Sequence, residues 1–157
     1  MELYMSNDWV RDISTMHLKM GVHGWLRDNE RQRRHGTLEE QAEARELMQK
    51  FLDFRVKFLE EELAETKQAV ANKDPEEIVD GLIDLCVVAI GTLDAFGVNA
   101  HKAWHQVHEA NMSKQPGVKP DRPNPLGLPD LIKPEGWTAP SHEGNHGVLS
   151  DTLSESV

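Results

Sequence analysis

Glu61-Glu62-Leu63-Ala64-Glu65, then Asn72-Lys73-Asp74-Pro75, then Glu77-Ile78-Val79-Asp80-Gly81-Leu82-Ile83-Asp84: these three pieces of the span from Phe58 to Phe96 decide the fold. The middle piece reads as a helix stop followed at once by a helix start. Asp74 caps orphan amides, and Pro75 suits the first helical position because its missing N–H is not needed there. Two helices joined this tightly run antiparallel beside each other. The acidic pieces on either side of the turn then face one another. Carboxylates gathered on facing helices repel, and desolvation sharpens the conflict. A divalent cation resolves it.

Residues three and four apart share a helix face, so Glu62 and Glu65 point the same way and Glu61 neighbours Glu65. Asp80 and Asp84 share a face as well, with Glu77 one turn earlier. Asp80 and Asp84 sit among Ile78, Val79, Leu82, Ile83 and Leu85, where an unpaired carboxylate is expensive. Taken alone, the first cluster fits a solvated helix face. Joined to the second across a short turn, it fits a metal site. An all-oxygen set with no obligatory His or Cys suits Mg²⁺, with Mn²⁺ as substitute, rather than zinc. Such an ion keeps waters and takes further ligands from substrate phosphates, which points to water attack on a phosphoanhydride. A di-iron carboxylate bundle requires Glu-x-x-His on two helices, and the only such string is Glu143-x-x-His146 near the end of the chain.

Working outward, Ser6 or Asn7 caps a first helix to about Lys19, with Trp9, Ile13, Met16 and Met20 on its apolar face. From His23 the chain reads as irregular and ends in the basic run Arg31-Gln32-Arg33-Arg34, a solvated loop or an electropositive gate for a phosphate-bearing ligand. Thr37-Leu38-Glu39-Glu40 is a capping box that opens a long helix to about Ala71, striped by Leu47, Phe51, Phe54, Phe58, Leu59 and Leu63. Asp74 opens the next, which ends near Phe96-Gly97. Its second half, Leu82 to Leu93, is apolar almost all round and so requires neighbours on several sides, in the core or in a second subunit. Asn99 caps a fourth helix to about Met112, with Ala103, Trp104 and Val107 facing inward. From Gln115 the composition changes, and all but one of the eight prolines lie there.

The chain has 157 residues, a formal net charge of -10 and one cysteine. One domain with a sizeable core fits that length. The acidic balance and the lack of a basic stripe argue against direct nucleic-acid binding. Cys86 cannot form an intrachain disulfide and reads as a small buried hydrophobe in a reducing cytoplasm. Glu2 and Asp8 stand where a signal peptide would be basic and apolar, and no apolar run approaches the ~20 residues of a membrane span.

The acidic pair, together with Gly91-Thr92, Phe96-Gly97-Val98, Val107-x-x-x-Asn111-Met112-Ser113-Lys114 and Lys133-Pro134-Glu135-Gly136-Trp137, resembles the all-α nucleoside triphosphate pyrophosphohydrolases. It is most similar to small phage-type MazG-like and phosphoribosyl-ATP pyrophosphohydrolase-like members, over roughly Trp9 to Pro140. The resemblance implies an oligomeric all-α, four-helix-type bundle over 1–114, a homodimer or homotetramer, with an extended Pro-rich arm over 115–140 packing on it. A disordered tail is expected over 141–157. It further implies cleavage of a nucleoside triphosphate between the α- and β-phosphates in nucleotide-pool control, in the cytoplasm (the host's, if phage-encoded), with a deoxynucleotide substrate and guanine as first guess. Glu62, Glu65 and Asp84 carry over as Mg²⁺ ligands. Many relatives have Glu where this chain has Gly81, so Asp80 is expected to supply that ligand. Glu61 orients or deprotonates the attacking water, or supports the ligands from behind. Asn111 and Lys114 match phosphate-contacting positions. His101, His105 and His108 share one helix face, as a zinc site or a solvent- or substrate-facing stripe. Trp25 and Trp104 either stack on a base or pack. The competing readings are a phosphoribosyl-ATP pyrophosphohydrolase and a non-enzymatic helical oligomerisation module.

Overall fold

The computed structural model describes residues 7–154, which form two compact units. The first contains the described residues up to Ala100 together with those from His146 onward, and the second is His101–Asn145.

In the first unit, α1 is Trp9–Lys19, α2 Val22–His35, α3 Leu38–Asn72 and α4 Pro75–Ala95. Asp8 caps α1 by accepting from the Arg11 amide at 3.1 Å; of the two caps expected, Asn7 does not serve and Ser6 lies outside the described residues. The stretch from His23, expected to be irregular, is helical. Its polar sequence has little apolar periodicity, so local pattern does not announce it. Tertiary anchors hold it instead: Leu26 packs on the core, and buried Asn29 donates Nδ2–H to the Ala44 carbonyl of α3 at 2.9 Å. α2 is thus a helix that the sequence does not predict. The basic run is the last turns of α2, not a loop. Arg33 pairs with Asp151, while Arg31 and Arg34 bridge to Asp28 and Glu30 on their own helix.

The capping box of α3 forms as expected, with Glu40 N–H on the Thr37 hydroxyl at 3.2 Å and Thr37 N–H on the Glu40 carboxylate at 2.7 Å. α3 then runs unbroken for 35 residues. The core lies between its first half and the end of α4, where Met48, Ala95 and the fully buried Phe96 meet Phe51 and Leu52. Burying a Phe side chain stabilises by about 1.5–3 kcal/mol. Trp25 stacks at a tilt on Phe51, which continues to Phe96. Cys86 is only half-buried. Among the described residues no single helix is long and apolar enough to cross a membrane.

Of the stretch expected to be disordered, residues 146–154 fold within this unit. α6, Leu149–Thr152, packs on α3; Val148 N–H donates to the Phe96 carbonyl at 2.8 Å, and Gln49 Nε2–H to the Thr152 carbonyl at 2.8 Å. Thr152 is fully buried. Gly147 makes the approach possible: its φ is +53°, and a Cβ there would stand 1.9 Å from the Phe96 oxygen. Few apolar residues signal this segment, because its hold comes from backbone hydrogen bonds and from Asp151 meeting Arg33. The last three residues lie outside the described ones.

In the second unit, the helix begun at Ala100 continues to Met112 as α5, and β1 (Gln115–Gly117) pairs antiparallel with β2 (Asp130–Ile132). The Pro-rich arm is tied to the end of α5 by Trp137, whose Nε1–H donates to the Ala110 carbonyl at 2.9 Å. Lys119 and Arg122 pair with Asp130 across the turn. Trp104, expected to face inward, is 72% exposed and stacks on His108.

Removing residues 147–157 is expected to lower the free energy of unfolding by about 2–4 kcal/mol, because Val148, Leu149 and Thr152 leave the core and Arg33 loses its partner. Urea denaturation of the truncated and full chains measures this; coincident midpoints would show the segment contributes nothing.

Candidate active site

The turn that joins α3 to α4 is built as its residues dictate. Lys73 closes α3 in the left-handed conformation, and Asp74 accepts from the amides of Glu76 and Glu77 at 3.1 and 3.2 Å, with Pro75 in the first turn. The two helices fold back on each other in the most extensive helix–helix contact of the chain. They fit closely together at Gly81 and Thr66. A Cβ on Gly81 would stand 2.4 Å from the Thr66 hydroxyl oxygen, which is itself tied to the Glu62 carbonyl at 2.8 Å. Both residues are buried. The position where the resemblance predicts a glutamate thus carries glycine because Thr66 fills the space opposite.

Around that contact lie the five acids. Glu62 and Asp84 are half-buried, while Glu61, Glu65 and Asp80 are exposed. Glu62 stands at the centre of their field. Its carboxyl is pushed above the ordinary glutamate range, by burial first and then by the negative charges of Asp84, Glu65, Asp80 and Glu61 in that order. Two of the four come from α4, so the charges of the two clusters act on one carboxylate across the helix pair. All of these influences push the same way. That is an unrelieved anionic locus with oxygen donors only, the donor chemistry that suits a hard divalent cation.

The side chains do not close on a point. Among the described residues, the only group of three potential ligands whose donor atoms lie within 4.8 Å of one another is His17, His23 and Asp94, elsewhere in the unit. Asn111 and Lys114 belong to the second unit. There the Lys114 ammonium donates to Asn111 Oδ1 at 2.9 Å and lies 5.2 Å from the Trp137 ring centre. Of the histidines on α5, His105 pairs with Glu109 at 3.2 Å. The hollow of the second unit, about 500 Å³ between α5 and Pro134–Pro140, contains none of the five acids.

The family model for phosphoribosyl-ATP pyrophosphohydrolase matches residues 30–111, more than half of the chain. The chain belongs to that family. The match begins within α2 and ends within α5, so it includes all five acids and Asn111 but neither Lys114 nor the C-terminal segment. Membership places the protein in the MazG-like all-α nucleoside triphosphate pyrophosphohydrolase superfamily and makes it a nucleotide pyrophosphohydrolase in the general sense. No curated protein matches the chain.

Two residues with chemical consequences escaped sequence reading. Asp94, in an apolar helix half, receives His17 from α1 and His23 from α2. Arg55 on α3 crosses to α4, donating to the Thr92 hydroxyl at 3.0 Å and the Val88 carbonyl at 2.9 Å; burial holds its guanidinium below the ordinary arginine range. The residues on α4 that would betray either contact lie 33 to 77 positions away in sequence.

Two outcomes follow from this geometry. A raised carboxyl stabilises the fold in its protonated form, below the ordinary glutamate pKa, and that contribution is lost as pH rises through the raised one. Without metal at pH 7, Glu62→Gln should therefore raise Tm by about 1–3 °C, with the gain gone near pH 4. Thermal scans across pH test this, and a lower Tm for the variant at pH 7 contradicts it. Gly81→Ala should destabilise by about 1–3 kcal/mol, and adding Thr66→Ala should recover part of that loss in a double-mutant cycle. Strict additivity would mean that the two do not meet.

Proposed function

We propose that the protein hydrolyses a nucleoside triphosphate between its α- and β-phosphates, releasing the nucleoside monophosphate and pyrophosphate, with Mg²⁺ as cofactor and Mn²⁺ as substitute. The observation that carries this reading is the field on Glu62, raised by acids from both α3 and α4. Family membership supplies the reaction class. We assign Glu62, Glu65 and Asp84 as ligands of the ion, with Asp80 in place of the glutamate that Gly81 excludes. The bound cation supplies neutralisation of the polyphosphate and polarisation of the phosphoryl oxygen under attack.

The chain's own groups do the rest. Glu62, with its carboxyl already held high, binds metal only when ionised, so occupancy falls as pH drops through its raised pKa. Glu61, exposed on the same helix, accepts a hydrogen bond from the attacking water and orients it, or takes its proton. On the family resemblance, the Asn111 amide and the Lys114 ammonium donate to phosphate oxygens. The Lys114–Asn111 hydrogen bond supports treating them as one unit.

A homodimer or homotetramer is the assembly we propose. Its support is the apolar surface left on α3 and α4: Phe54, Leu63, Val79, Leu82 and Ile83 are 44–63% exposed. A deoxynucleotide substrate, guanine first, and a role in the cytoplasmic nucleotide pool rest on the resemblance alone. The absence of direct nucleic-acid and membrane partners is proposed instead from the acidic balance without a basic stripe and from the lack of a long apolar run. A second reading, hydrolysis of phosphoribosyl-ATP, is favoured by the description of the matching family itself.

A screen of all ribo- and deoxynucleoside triphosphates and phosphoribosyl-ATP with Mg²⁺, resolving pyrophosphate from phosphate, separates the readings. Turnover of a triphosphate to monophosphate and pyrophosphate is expected. Glu62→Ala and Asp84→Ala should each lower kcat/KM by at least ~100-fold with helicity unchanged, as loss of several kcal/mol of transition-state stabilisation requires. Release of orthophosphate, or full activity in either variant, would refute the assignment.

A further inference from the structure

Away from the acidic face, three helices deliver one side chain each to a common point. His17 Nδ1 of α1 and His23 Nε2 of α2 both lie 2.8 Å from Oδ2 of Asp94 on α4. The rings stand nearly perpendicular, at 88°, with centres 6.2 Å apart. One donor atom from each residue falls within 4.8 Å of the other two. Side-chain exposure is 5% for His17, 14% for Asp94 and 25% for His23, so the cluster is walled on one side and open past His23. The walls are specific. Gly91 leaves room for the His17 ring, since a Cβ there would stand 3.0 Å from Cε1 and Nε2 and 2.8 Å from the Arg55 guanidinium. The Ser14 side chain also hydrogen-bonds the Asp94 carboxylate, which fixes its orientation.

We propose that His17, His23 and Asp94 form a second metal site, for a borderline transition-metal dication such as Zn²⁺ or Co²⁺, distinct from the Mg²⁺ face. The donor chemistry selects the ion. Two imidazole nitrogens and one carboxylate oxygen suit zinc and the later first-row metals, whereas magnesium prefers all-oxygen surroundings. Three protein ligands leave a coordination position for water, and the opening past His23 gives it access. The geometry is near what the ion needs. Tetrahedral donors about 2.05 Å from zinc lie roughly 3.3 Å apart, so the 2.8 Å contacts must open by about half an ångström. To ligate the ion, His17 would use Nδ1 and His23 Nε2, leaving Nε2 of His17 and Nδ1 of His23 to carry the ring protons. Asp94 supplies the one negative charge. On α4, Asp94 lies ten residues beyond Asp84, about 15 Å along the helix, so the two sites do not share ligands. His17 and His23 also precede the residues matched by the family, and this site stands whether or not the proposed activity does.

The test is metal binding by the full chain after chelator stripping, read by elemental analysis after dialysis against Zn²⁺ and by visible absorption on Co²⁺ titration. The wild type should retain Zn²⁺ and show the intense absorption of low-coordinate, nitrogen-ligated Co²⁺. His105→Gln, which removes a histidine of the exposed α5 stripe, should behave identically. His23→Gln, at the most exposed ligand, should weaken the affinity at least tenfold and abolish the Co²⁺ spectrum. Unchanged binding in folded His23→Gln overturns the site, as does wild type that takes up no Zn²⁺ at tens of micromolar; either outcome leaves the cluster as a hydrogen-bonded anchor only. Should His23→Gln fail to fold, cadmium-113 NMR of the wild type decides by its chemical shift. A shift expected for two nitrogen ligands supports the proposal, and an all-oxygen shift overturns it.

Discussion

The close fit of Gly81 against the Thr66 hydroxyl brings α3 and α4 together where the acids of the candidate active site lie. A glycine in mid-helix lowers helix propensity by about 1 kcal/mol against alanine, a loss accepted here because no Cβ fits against the Thr66 hydroxyl. Bringing the backbones this close places Asp80 and Asp84 where their charges act on Glu62. The same packing that stabilises the helix pair thus concentrates negative charge that destabilises it. Under the proposed function, neutralisation by a bound cation would turn that liability into binding energy.

α4 carries two kinds of chemistry along one rod. Its first half presents oxygen donors toward α3. Its second half presents Asp94 to two histidines and backbone and hydroxyl acceptors to Arg55. Burial alone would push Asp94 up, but hydrogen bonds from His23, Ser14 and His17 outweigh it and hold the carboxylate ionised. α1 and α2 are therefore fastened to α4 by polar contacts, where the small apolar faces of those helices offer little. Ile13 is the one well-buried apolar residue of α1, and α2 has none.

The C-terminal segment plays a comparable part at the other side of the unit. α6 is too short to be stable alone, yet Asp151 meets Arg33, and the Val148 amide meets the Phe96 carbonyl left free at the end of α4. Satisfying an orphan carbonyl and a buried guanidinium stabilises both sides of the contact, so the segment and the helix ends hold each other.

Much of the architecture was legible in the residues themselves. The Thr37–Glu40 box, the Lys73-Asp74-Pro75 turn and the apolar stripes delimit α3 and α4 because caps and periodicity are local properties, fixed within a few residues. The pairing of the two acidic clusters follows from the shortness of that turn, and with it the field on Glu62. The Arg-rich stretch did not announce α2, since Asn29, Leu26 and Arg33 are held by partners on other elements. Nor did anything local distinguish the final residues from a solvated tail. Why position 81 is glycine, and that Asp94 gathers two histidines from 71 and 77 residues away, only the tertiary structure decided. Steric contact and hydrogen bonding between distant segments exist once the helices have packed, and no pattern within a single segment encodes them.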